Sequence, residues 1–309
     1  MRHEAARSHL ERGDAALAVK DLNAALVEFQ KAVTIDPTYA DGHTKLGLLY
    51  KQTGDLDKAA DALETSVKLD GSKFTPAFEL GEVYRLLNKV TQAIRAYVLA
   101  CQLDPRNFDA HFRLAACYHQ NGELEKAADK YKRAVDIDSH SAYAWSNLGA
   151  VYDAQGEYYE AIRAYKQSLE CNTRQPVVLV NLATAYLNQD RYAVARQTLQ
   201  TAIKMDGNLS IAHERLGYCL WREQSLDQAA QSYLRAIALD PRNAAAFAGY
   251  GVVRMSQYLE APENVAYLNE AVEAWHQSLE IQPDQPKLRS LLQKYRPRTG
   301  RPLVEMGRN

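Results

Sequence analysis

The side chains with the most capacity for chemistry in this chain fall on a fixed stride. Asn147 and Asn181 stand one 34-residue step apart, and Arg113 and Arg215 flank them at the same step. A primary amide both donates and accepts, so it can pair with a peptide backbone without reading its sequence, while a guanidinium attracts carboxylates. That chemistry is recognition rather than bond making. His9, His43, His111 and His213 share another phase of the stride. No two of them have the four-residue helical spacing at which a pair grips a metal, so they read as half-buried packing residues and no metal is expected. Cys101, Cys117, Cys171 and Cys219 form no CxxC pair. Each falls where other copies of the stride carry an aliphatic residue, as Cys117 and Cys219 do with Leu49, Val83, Val151 and Val253, so all four read as core. GxSxG, HExxH and a phosphate-binding glycine loop are absent, and Gly249-Tyr250-Gly251 is too short to cradle a phosphate. No catalytic residue and no cofactor are expected.

The elements that would position these residues come from the stride itself. Number Ala142–Gln175 from 1 to 34. Trp145, Leu148, Gly149 and Tyr152 lie on one helical face, Gly156 breaks the helix, and Ala161, Tyr165 and Ser168 mark a second helix. Position 8 reads Gly13, Gly47, Gly81, Ala115, Gly149, Ala183, Gly217, Gly251; position 20 is Ala from Ala25 to Ala229; position 24 is bulky, from Phe29 through Tyr97, Tyr131 and Tyr165 to Tyr233. Small residues at fixed places let two helices of a hairpin approach closely. This pattern closely resembles the tetratricopeptide repeat. The resemblance implies an all-α, right-handed superhelical solenoid of about eight helix-turn-helix repeats.

The repeats are expected near 6–39, 40–73, 74–107, 108–141, 142–175, 176–209, 210–243 and 244–285, forming one solenoid domain over 6–285. Gly54, Asn88, Gly122 and Gly156 mark hairpin turns. The first repeat is polar at its front, with Arg12 in place of the position-7 leucine. In the eighth, Ala271 comes eight residues late, so material near 256–267 must lengthen the turn or extend a helix. Leu288, Leu291, Leu292 and Tyr295 form one apolar stripe, which predicts a capping helix over 286–296. Residues 297–309, rich in Pro, Gly and Arg, read as a disordered basic tail.

Composition excludes several classes. With 37 basic and 38 acidic residues, no overall field draws in nucleic acid. No apolar run approaches the ~20 residues of a membrane span, and no membrane contact is expected. Without an apolar signal segment at the start, the simplest location is cytoplasmic.

In tetratricopeptide repeats, positions 2, 6, 9 and 13 of the first helix line the concave surface. Position 6 reads Glu11, Lys45, Glu79, Arg113, Asn147, Asn181, Arg215, Gly249. The Asn147–Asn181 pair resembles the asparagine ladder of O-linked N-acetylglucosamine transferase repeats, and Ala144–Gly149 resembles their repeat sequence. Beside it the stripe turns apolar, with Tyr143, Val177, Ile211 and Tyr218, bordered by Trp221 and Arg222; the first repeats carry charges instead. The carboxylate clamp of co-chaperone tetratricopeptide domains is matched only by Asn181 and Arg215, and Ser146, Ala150 and Ile211 depart from it. The resulting expectation is a non-catalytic scaffold binding a protein or peptide, acidic if the arginines decide. The alternatives are a substrate-recruiting module working with a separate glycosyltransferase chain, and self-association into a homo-oligomer through the first repeat.

Overall fold

An aspartate closes almost every repeat. Asp36, Asp70, Asp104, Asp138, Asp206 and Asp240 each follow a second helix, and each Oδ1 accepts the backbone N–H two residues on, at 2.9–3.2 Å. Asn172 does the same for Arg174. Such a turn ends one helix and aims the chain at the next. A computed structural model describes residues 1–295, and every regular element among them is an α-helix.

Contacts group the chain into two compact units divided at Glu160. The first holds α1 (Arg2–Ala18), α2 (Leu22–Ile35), α3 (Ala40–Thr53), α4 (Leu56–Leu69), α5 (Phe74–Leu86), α6 (Val90–Leu103), α7 (Phe108–Gln120), α8 (Leu124–Ile137), α9 (Ala142–Ala154) and the first residues of α10 (Tyr158–Cys171). The second holds the rest of α10, then α11 (Pro176–Leu187), α12 (Tyr192–Met205), α13 (Ser210–Arg222), α14 (Leu226–Leu239), α15 (Ala244–Glu260), α16 (Val265–Ile281) and α17 (Pro286–Lys294). Within each unit, successive helices pair as antiparallel hairpins, and each hairpin stacks on the next.

One contact builds the hairpins. The side chain at position 24 of the second helix lies on the bare backbone at position 8 of the first. A Cβ on Gly81 would sit 2.6 Å from the Tyr97 ring, one on Gly217 would sit 2.9 Å from Tyr233, and one on Gly251 would sit 2.4 Å from Trp275. Phe29, Leu63, Tyr97, Tyr131, Tyr165, Leu199, Tyr233 and Trp275 are all fully or almost fully buried. In α5 and α7 a stacked phenylalanine pair adds to this: Phe74–Phe78 and Phe108–Phe112, with Phe78 and Phe112 edge-on to Tyr97 and Tyr131.

The hairpin turn demands one left-handed residue at position 15. Gly54, Asn88, Gly122 and Gly156 supply it as expected. Lys20, Asp190 and Gln224 adopt the same positive φ in the remaining repeats, near 60°. In the eighth hairpin the extra residues extend both helices: α15 and α16 are 17 residues each, and the turn moves to Ala261–Asn264.

The apolar stripe from Leu288 to Tyr295 begins on α17, which ends at Lys294. Leu288 is buried, and Leu291, Leu292 and Tyr295 pack with it on Trp275 and Met255. The basic tail over 297–309 lies outside the described residues. The cysteines need a correction. Cys117 and Cys219 are buried and Cys101 is half-buried, but Cys171 is exposed. Position 30 lies in the last turn of the second helix, where Leu69 is also 40% exposed, so an aliphatic column there does not mark core.

Gly81→Leu should lower stability by roughly 1–3 kcal/mol, because Tyr97 has nowhere to retreat. Unchanged thermal unfolding would show that the ring does not rest on that backbone.

Candidate functional site

The histidines have a structural task that their spacing did not announce. His43, His111 and His213 each donate from Nε2 to a carbonyl six residues back: Pro37 at 3.0 Å, Pro105 at 3.2 Å and Gly207 at 3.2 Å. Trp145 Nε1 does the same to Ser139 at 2.9 Å. These carbonyls belong to the turn between repeats, so the position-4 donor pins α3, α7, α9 and α13 each to the turn before it. In α17, Arg289 donates to the Pro283 carbonyl at 2.7 Å in the same manner. His9, with no turn before it, pairs with Glu28 at 2.7 Å instead. Among the described residues no three His, Cys, Asp or Glu side chains gather as metal ligands.

In the first unit, charged side chains along the first-helix stripe are paired with partners within the protein. Lys45 meets Asp14 at 2.8 Å and Lys51 meets Glu79 at 2.6 Å, each pair bridging consecutive first helices, and Lys73, which caps the start of α5, meets Asp41 of α3 at 2.5 Å. Arg113 Nε lies 3.1 Å from Glu82, a buried carboxylate that also accepts from Arg85 and Tyr97. Burial alone would raise the Glu82 pKa. The hydrogen bonds from Arg85 and Tyr97 and the Arg113 charge outweigh it and hold the carboxyl below its ordinary value. Asn147 donates to the Tyr143 carbonyl of its own helix at 2.9 Å. The Tyr143 side chain is 75% exposed.

In the second unit, α13 lies between α11 and α15, and the same positions are largely uncommitted. Val177 on α11 and Ile211 on α13 are 59% and 47% exposed. Asn181, half-buried between them along the stripe, makes no side-chain hydrogen bond to another described residue. Arg215 Nε lies 3.6 Å from Glu214, whose carboxyl is pushed up by burial, with Arg215 pulling it down only in part. At the far end of α13, Tyr218, Trp221 and the exposed Arg222 form a cluster with Tyr192 of α12, a residue absent from the expected site. On α15 the stripe is small: Ala245, Gly249, Val252 and Ser256. A Cβ on Gly249 would sit 2.3 Å from the Tyr233 ring, which explains why the position-6 column ends in glycine.

These features, small residues under a bulky one at a fixed stride and exposed first-helix stripes, define a tetratricopeptide array. Residues 1–250 match the family described as the cilia and flagella-associated protein 70 C-terminal domain. The chain belongs to this family. No curated protein matches it. Among solved structures, MamA is 26% identical with a TM-score of 0.52, covering 55% of this chain and 93% of its own. YrrB, described as a tetratricopeptide protein with an unusual peptide-binding site, is 24% identical with a TM-score of 0.51, covering 65% and 99%. PilF of Pseudomonas aeruginosa is 21% identical with a TM-score of 0.58, covering 73% and 98%. In all, 481 solved chains match, so the fold by itself selects no function. No described helix is long and apolar enough to cross a membrane.

Burial lowers the pKa of His111 and His213, and the hydrogen bond each makes to a carbonyl opposes this only in part. The unfolded chain therefore binds these protons more readily. The stability contributed by the neutral rings is full above the ordinary value of 6.5 and falls as pH drops below it. His111→Trp and His213→Trp, copying Trp145, should keep the donor and flatten the stability loss between about pH 7 and pH 5, read by urea unfolding at the two pH values. An unchanged slope in both variants would exclude these histidines as its source.

Proposed function

We propose that the protein is a non-catalytic interaction module that holds an extended segment of a partner protein against the first-helix face of its second unit. The observation that carries this reading is the contrast between the stripes. In the first unit the charges are paired, whereas in the second Val177, Ile211 and Asn181 stand uncommitted and Arg222 has no ion pair among the described residues. Exposed aliphatic groups among polar ones suit a peptide, which adds apolar contacts to hydrogen bonds along its backbone.

Asn181 would pair with the ligand backbone in the way that the resemblance to O-linked N-acetylglucosamine transferase repeats implies, and Arg215 and Tyr218 would line the same face. Tyr143 offers an exposed ring in the first unit, while Arg113 and Asn147 are engaged within the protein. The family takes its name from a cilia- and flagella-associated protein; of that name the interaction fold is carried over here, not the organelle.

The test begins with a partner identified by affinity capture and mass spectrometry, whose dissociation constant is then measured. Val177→Ser, Ile211→Ser and Asn181→Ala together should weaken it by roughly 1–3 kcal/mol, about five- to a hundredfold. Thermal stability should move little, because the three positions lie outside the core. Unchanged affinity would place the binding surface elsewhere.

A further inference from the structure

Arg222 closes α13 without an ion pair among the described residues. Its guanidinium lies 4.3 Å from the centre of the Tyr192 ring and 6.0 Å from that of Tyr218, and Nη1 donates to the Tyr218 hydroxyl at 3.1 Å. Tyr218 is braced by Trp221, with ring centres 5.8 Å apart, and Trp221 Nε1 donates to Ser256 on α15 at 3.2 Å. The Tyr192 hydroxyl donates to Asp190. A long, flexible side chain is thereby held by two rings while it remains exposed, with Nε and Nη2 uncommitted. Prior ordering of this kind lowers the entropy cost of binding.

The acids around it are already engaged. Glu223, next in the chain, pairs with Arg196 at 2.8 Å, and Asp190 accepts from Tyr192. Arg191, also exposed, stacks on Tyr186 with 4.6 Å between charge and ring centre. The region therefore offers donors to an incoming anion. Because Asp190 stands close by, bonded to the Tyr192 hydroxyl whose ring Arg222 stacks on, it suits one negative charge better than the two of a phosphate group.

We propose that Arg222, ordered by Tyr192 and Tyr218, is a subsite for the carboxylate of an aspartate or glutamate in the partner peptide. This rests on the peptide-binding reading above and names the chemistry of its ligand. Ile211 lies eleven residues earlier on the same stripe of α13. That separation is about 16 Å along the helix, which an extended strand covers in about five residues. The segment recognised thus carries an aliphatic residue and an acidic one about five positions apart.

The probe is a random dodecapeptide library displayed on phage, selected on the full chain and on Arg222→Gln. Wild-type selections should enrich Asp or Glu about five residues from Leu, Ile or Val. A synthetic binder should lose about tenfold or more in affinity when its acid becomes the amide. Arg222→Gln should bind the acid and amide forms alike, at the wild-type affinity for the amide. Tyr192→Leu should reduce the acid preference even where melting is unchanged. Binders without an acid, or an undiminished acid preference in Arg222→Gln, would overturn the subsite while leaving the groove standing. A phosphoserine in place of the acid that binds tenfold tighter would overturn the single-charge assignment. Failure of the underlying reading looks different: no peptide is enriched, or the binders are indifferent to Ile211→Ser and Val177→Ser.

Discussion

The fold depends on a bulky side chain resting on bare backbone. Each ring or leucine at position 24 needs the volume that a Cβ and its substituents would take at position 8, and Gly81 under Tyr97 and Gly251 under Trp275 show how little clearance remains. The contact sets the distance between the two helices of a hairpin, and through it the places where the other contacts can form. Once that spacing is set, the position-4 donor reaches the preceding turn and the closing aspartate aims the next helix. Helix α17 lacks the small residue. Gln285 donates to the Ser278 carbonyl and hydroxyl as Gln175 does to those of Ser168, so α17 begins as α11 does. Counting from that shared start, Gln293 stands where the small residue would be. A second helix could not approach α17 as closely as in the other hairpins.

Much of this was legible in the sequence because the contact needs particular residue types. A glycine or alanine at one phase and a bulky residue sixteen positions later leave a pattern that survives variation elsewhere. The left-handed turn residue was only partly legible. Gly54, Gly122 and Gly156 announce it, but Lys20, Asp190 and Gln224 do not, since hairpin packing imposes the conformation there and the residue merely tolerates it. Cys171 misled for a related reason. An aliphatic column implies core, but its place at the end of the second helix leaves the side chain in solvent. The eight-residue delay in the last repeat located an insertion without saying where it goes. Both helices absorb it, which keeps Trp275 over Gly251.

The candidate site was legible as a set of positions but not as a set of available groups. Spacing along a helix shows which side chains share a face, but not which of them a neighbouring repeat has already engaged. Glu82 is the clearest case: its buried carboxylate draws in Arg85, Tyr97 and Arg113, and so gives Arg113 an ion-pair partner within the protein. Asn147 is turned back onto its own helix. Tyr192 lies outside the stripe for the opposite reason, because it opens a second helix while the stripe runs along first helices alone.

The two units thus use the same positions in different ways. An exposed ion pair between neighbouring first helices adds little stability, about 0–1 kcal/mol, but a ligand that disrupts it must replace its hydrogen bonds. A stripe made of such pairs discourages docking, even though it is polar and exposed. Val177 and Ile211 have no partner to lose, and water over their side chains is released when a ligand covers them. Arg222 combines the two properties, because its stacking on tyrosine rings holds the guanidinium in place without neutralising its charge. Recognition on this array should therefore follow the unpaired groups, and a substitution that gave Arg222 a carboxylate partner within the protein would quench the surface without altering the fold.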